Sequence, residues 1–250
     1  MDACFQAAQE ELRCAKRSIG VASLTVNKTR LEAFSDGVFA IVITLLILNV
    51  RVPDGRTLTF QSLQPLVPTL ATFVLSFIMV GVYWIAHHHM LHFIKQVNRR
   101  LLWLNRLVLL CVVFIPFPAS LLGTGFNNPL AVRLYGLSLI ATNASGLFFW
   151  LYAISQSELM VSSVTKEFAR AVIRIHSFPM LVYGLAVVLA GWSTKASLVL
   201  YAAVPLFFIL PNPLLERRIG TATRTVSSED SRWLSQATIR RNTPMIGVLF

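Results

Sequence analysis

Apolar residues along this chain gather into six long runs separated by short polar stretches. The runs cover approximately residues 34–50, 66–90, 101–123, 130–155, 171–192 and 196–212. A helix needs about 20 mostly apolar residues to cross the hydrocarbon core of a bilayer, so each run reads as a transmembrane helix. The first is short but dense, GVFAIVITLLILNV from Gly37. The last two are parted only by a turn at Ser193–Lys195, which predicts a tight hairpin. Pro116 and Pro118 in the third run, Pro179 in the fifth and Pro205 in the sixth should kink their helices. Membranes tolerate such breaks where neighbours satisfy the freed carbonyls. The expected fold is an all-α integral membrane protein with six transmembrane helices in residues 30–212. An N-terminal extension, 1–29, precedes them and a polar tail, 213–250, follows.

The basic residues orient this pattern. Arg13, Lys16, Arg17, Lys28 and Arg30 lie before the first run. Lys95, Arg99 and Arg100 lie between the second and third, Lys166, Arg170 and Arg174 between the fourth and fifth, and Arg217, Arg218, Arg224, Arg232, Arg240 and Arg241 after the last. The opposite side carries only Arg51, Arg56, Arg133 and Lys195. The positive-inside rule places both termini in the cytoplasm, and an even number of spans agrees with a shared side. Composition agrees. The chain of 250 residues is 55% hydrophobic and 13% charged, where a soluble domain carries about 25% charge. The net charge of +11 would suggest a nucleic-acid partner in a soluble chain, but here it marks cytoplasmic flanks, and no nucleic acid is expected. Cys4, Cys14 and Cys111 do not suggest a disulfide framework. The first 29 residues lack the apolar core of a signal peptide, and no P-loop, dinucleotide fingerprint or zinc-type cysteine spacing occurs.

Ionisable residues inside spans are costly and are candidates for function. At 1.5 Å per residue, Asp36 lies about 9 Å along the first helix from Arg30. Counted from the same side of the membrane, Ser35 and Asp36, His87 and His88, and Asn105 and Arg106 reach a common depth, which predicts an interhelical polar layer. Arg30, Arg106, the Trp84 indole and a histidine are candidate partners for Asp36. Such a layer can simply glue three helices together, or it can serve gating or proton sensing. His88 and His92 stand four apart, a spacing that can bind metal, yet the rest of the chain adds only His176 and few embedded acids. No metal site and no cofactor are expected. None of the eleven acidic residues lies near a bilayer midplane, which weakens a proton-coupled transporter.

RLEAFSDGVFAIVITLLILNV, residues 30–50, closely resembles the first helix of the transmembrane protein 175 family, which comprises the lysosomal potassium channel and its prokaryotic relatives. The motif residues are Arg30, Phe34, Ser35 and Asp36, followed by an Ile-rich run and Thr44-Leu45-Leu46. Tyr83-Trp84-Ile85-Ala86-His87-His88, Arg99-Arg100-Leu101-Leu102-Trp103-Leu104-Asn105 and Phe114-Ile115-Pro116-Phe117-Pro118 also look like the family. The resemblance implies a passive, potassium-over-sodium channel without catalysis, in a prokaryotic plasma membrane. It implies a homotetramer whose first helices line a central pore. Carried over by position, the apolar constriction falls on Ile41, with Thr44 and Leu48 further along; spacings of three and four put all three on one helical face. Arg30, Ser35, Asp36, Trp84, His88 or its neighbour His87, and Asn105 would form the network holding that helix. The competing expectation is a secondary transporter or proton-leak pathway using Asp36 and the His87–His88 pair.

Overall fold

The computed structural model describes residues 28–50, 60–161 and 166–209. The expected N- and C-terminal extensions therefore lie outside the described residues, except that Lys28 and Thr29 begin the first helix. The described chain is helical: α1 (Lys28–Ile47), α2 (Phe60–Leu63), α3 (Val67–His92), α4 (Arg99–Phe114), α5 (Pro116–Thr124), α6 (Pro129–Ser155), α7 (Lys166–Leu189) and α8 (Thr194–Ile209). Single 3-10 turns at Gln64–Leu66 and Ser157–Leu159 lead into α3 and follow α6.

Among the described residues, four stretches are long and apolar enough to cross a membrane: Gln64–His92, Arg99–Thr124, Pro129–Ser155 and Ala169–Leu189. The protein is thus a multi-pass helical membrane protein. α8 is apolar but covers only 16 described residues. α1 has the length but starts with Lys28, Arg30, Glu32 and Asp36.

Prolines act differently by position. Pro116 has no N–H to give the carbonyl four residues back, and the third run breaks there into α4 and α5. The Ile115 N–H turns to the Val112 carbonyl at 3.1 Å. Pro179 and Pro205 stay inside the continuous helices α7 and α8. The last turn sits earlier than the sequence predicts. Ser193 is not its first residue but the cap of α8, its Oγ accepting from Ala196 N at 3.3 Å, so the chain reverses at Ala190–Trp192.

Helix α6 packs against α7 and α4, α3 against α5 and α1, and α1 also against α4. At one end of the bundle Leu31, Met90, Ile94, Leu101, Phe149, Trp150 and Met160 form a buried apolar cluster. The α3–α4 loop clips there onto the chain after α6: Lys95 N donates to Leu159 O at 2.7 Å and Val161 N to Phe93 O at 3.1 Å. Further along α6, Gly136 lets three helices approach, because a Cβ there would fall onto the Tyr201 hydroxyl of α8 and 2.6 Å from Val187 Cγ2 of α7. Tyr201 donates to the Val132 carbonyl at 3.1 Å and cannot retreat without losing that bond. Gly136→Ala is expected to cost about 1–3 kcal/mol through overpacking, read as a lower melting temperature in detergent. Gly184→Ala, whose Cβ meets nothing within 4 Å, should not lower it.

Candidate functional site: a polar lock on the first helix and its open face

Helix α1 is divided lengthwise. Leu31, Ser35, Phe39, Val42 and Leu46 recur every three or four residues and are buried. The opposite stripe is open in the single chain: Phe34 is 55% exposed, Ile41 60% and Leu48 72%, with Thr44 exposed between the last two. The Thr44 hydroxyl donates to the Ile41 carbonyl at 2.8 Å, so its oxygen lone pairs remain available on that stripe.

The buried stripe carries one polar residue, and it anchors a three-helix hydrogen-bond chain. Ser35 Oγ donates its only hydrogen to the Leu31 carbonyl at 2.9 Å. It therefore accepts from Asn105 Nδ2, 3.0 Å away on α4. Asn105 Oδ1 then faces His87 Nε2 of α3 at 2.7 Å, which requires the imidazole to carry its proton on Nε2. All three side chains are buried, at 0%, 1% and 3% exposure for Ser35, Asn105 and His87. The Phe39 ring lies tilted against the His87 ring, centroids 5.3 Å apart, and closes the lock. The far end of α1 is pinned as well, Asn49 Nδ2 donating to the Pro116 carbonyl at 3.1 Å.

The remaining layer residues do not join this chain. Asp36 accepts from the Trp84 indole at 2.9 Å, on the more exposed side of α1 and α3. His88 is exposed and leans on Trp84 at a ring distance of 5.9 Å. Between the two adjacent histidines, the helical turn gives the buried position to His87. Arg30 is exposed, and Arg106 lies over the Trp103 ring at 5.7 Å rather than at Asp36. The Asp36–Trp84 bond is half-exposed and leaves Asp36 access to other donors. Trp84→Phe is expected to lower stability by only about 1 kcal/mol, measured by thermal melting.

Counting charged residues misses the neutral polar face of α6. Tyr135, Ser138, Thr142 and Ser145 follow at spacings of three and four and are buried, as is Asn143 beside them. Asn143 Nδ2 reaches the Tyr83 hydroxyl at 3.0 Å, and Ser76 pairs with Tyr135 at 3.1 Å. That periodicity was the available signal. Among the described residues no three histidine, cysteine, aspartate or glutamate side chains gather as a metal site.

A bundle of long apolar helices with one partly charged helix held by a buried polar lock defines a multi-pass helical membrane protein, and known proteins place it more closely. A chain from Chryseobacterium named a potassium channel is 31% identical over 201 residues, covering 78% of this chain and 98% of the relative. Another so named, from Streptomyces collinus, is 34% identical over 185 residues, covering 72% and 90%. The family model described as endosomal/lysosomal potassium channel TMEM175 matches residues 30–116. The crystal structure of a lysosomal potassium-selective channel TMEM175 homolog from Chamaesiphon minutus superposes with a TM-score of 0.65 at 27% identity, covering 73% of this chain and 96% of that one. The chain belongs to the TMEM175 family, a family of ion channels.

Proposed function

We propose that this chain is one subunit of a passive potassium-selective channel, a homotetramer in a prokaryotic plasma membrane. Each subunit has six spans, with α1 and α8 completing the four long helices, and both termini are cytoplasmic. The observation that carries the reading is the divided α1. Its inner stripe is locked by Ser35, Asn105 and His87, while its outer stripe stays open among the described residues. A helix that opens with Lys28, Arg30, Glu32 and Asp36 carries charge that lipid disfavours, so lipid is a poor partner for that stripe. Other copies of α1 around a symmetry axis satisfy it instead, as closed oligomers do.

In that arrangement Ile41 makes a narrow apolar ring, with the Thr44 oxygens one turn on and Leu48 beyond. An apolar ring cannot replace hydration water, so it penalises the ion that holds water more tightly, which is sodium. Thr44 oxygens partly compensate potassium as it sheds water. The relay expected of a transporter or proton leak gains no support, because Asp36 bonds Trp84 while His87 bonds Asn105. The test is cation flux from liposomes holding the purified protein. Potassium efflux well above sodium efflux is expected, with no dependence on a coupled substrate. Saturable, coupled flux would overturn the channel reading.

A further inference from the structure

The lock leaves one nitrogen of His87 unused. Nε2–H is given to Asn105, and Nδ1 has no hydrogen-bond partner among the described residues although the side chain is buried. Orphaned buried acceptors are rare because they are costly. His87 also lines a cavity of about 50 Å³ between α1, α3, α4, α6 and α7, together with Tyr83, Thr142, Asn143, Gly146 and His176.

The polar groups around that cavity have mostly spent their hydrogens. His176 Nδ1 lies 3.1 Å from the Val172 carbonyl and must donate to it, so Nε2 is left as an acceptor. A Cβ on Gly146 would sit 3.5 Å from this Nε2. Asn143 gives its amide hydrogens to the Tyr83 hydroxyl at 3.0 Å and the Leu139 carbonyl at 3.4 Å. Tyr83 donates to the Leu139 carbonyl at 3.3 Å and Thr142 to the Ser138 carbonyl at 2.9 Å. What remains is a set of acceptors, two imidazole nitrogens foremost, and these call for an occupant that donates. The volume admits a water, whose share of the liquid is about 30 Å³, and excludes an organic molecule.

We propose that a structural water occupies this cavity and donates to His87 Nδ1. Its second hydrogen goes to the acceptors of α6 and α7, with His176 Nε2 the first of them. The water ties the lock on α1 to two helices that the lock itself does not touch. The water does not rest on the channel reading, and neither measurement that tests it uses ion flux.

The first measurement is a structure of the full chain in lipid at a resolution that shows ordered water. A peak within about 3.2 Å of His87 Nδ1 is expected. An empty cavity, or a peak whose anomalous scattering marks a metal, overturns the proposal. The second compares melting temperatures of Gly146→Ala and Gly184→Ala, which share the helix-propensity gain. The Gly146 methyl takes the space beside His176 Nε2 and displaces the water, so this variant should melt several degrees below the Gly184 variant. Equal or higher melting means a dry cavity that a methyl simply fills, and overturns the proposal.

Discussion

Replacing Ile41 by Asn is expected to raise sodium flux relative to potassium by about tenfold, which corresponds to only about 1.4 kcal/mol of differential barrier. Ile41 is 60% exposed and sits on the stripe of α1 that no other described helix covers. At that position in a tetramer, four apolar side chains offer nothing to an ion that has shed water. Four amides offer oxygens that coordinate either cation, and the penalty on sodium falls. Because the side chain touches little of its own subunit, the variant should melt close to the parent. A changed permeability ratio with unchanged melting separates a pore role from a packing role. The check is paired potassium and sodium flux from liposomes, with Val42→Asn as a contrast. Val42 is 1% exposed, so its variant should lose stability instead.

Asn105→Leu should be the most destabilising change at the lock, by about 2–3 kcal/mol. Ser35 keeps its bond to the Leu31 carbonyl, so His87 suffers most, with its Nε2–H stranded in a buried site. Leu keeps the branching and heavy-atom count of Asn, so no cavity is left and the lost hydrogen bonds dominate. Removing the histidine as well takes away the stranded donor. The double variant His87→Leu with Asn105→Leu is therefore expected to melt above the single Asn105→Leu variant, since replacing both partners by apolar groups costs less than orphaning one. The measurement is thermal melting of purified protein. Additive losses would mean that the two residues do not act as a pair.

Much of the architecture was legible because bilayer-length apolar runs are a strong signal. Gln64–His92, Arg99–Thr124, Pro129–Ser155 and Ala169–Leu189 lie close to the runs read from the sequence. The polar layer was legible from depth alone, since a fixed rise per residue puts Ser35, His87 and Asn105 level. Depth says nothing about rotation, however. It could not choose His87 over His88, nor divide Asp36 and Trp84 from the buried lock, because those depend on which way each helix faces. The division of α1 was hidden for a related reason: Phe39, Val42 and Leu46 inside are as apolar as Ile41 and Leu48 outside. Asn49 and Asn143 drew no notice because neutral polar residues were weighed less than charged ones, yet they carry the contacts from α1 to Pro116 and from α6 to α3. The turn after α7 was misplaced because Ser193 has the composition of a turn and serves as a helix cap.

The most direct test of the pore assignment is chemical access. In a background with Cys4, Cys14 and Cys111 replaced, single cysteines at Ile41, Thr44 or Leu48 should let silver ion, small enough to follow potassium, block the potassium current irreversibly. Leu185→Cys on α7, also exposed in the single chain but away from α1, should leave the current intact. Block at the α1 positions and none at Leu185 is the expected result. Current that survives silver at all three α1 cysteines would contradict a pore lined by α1.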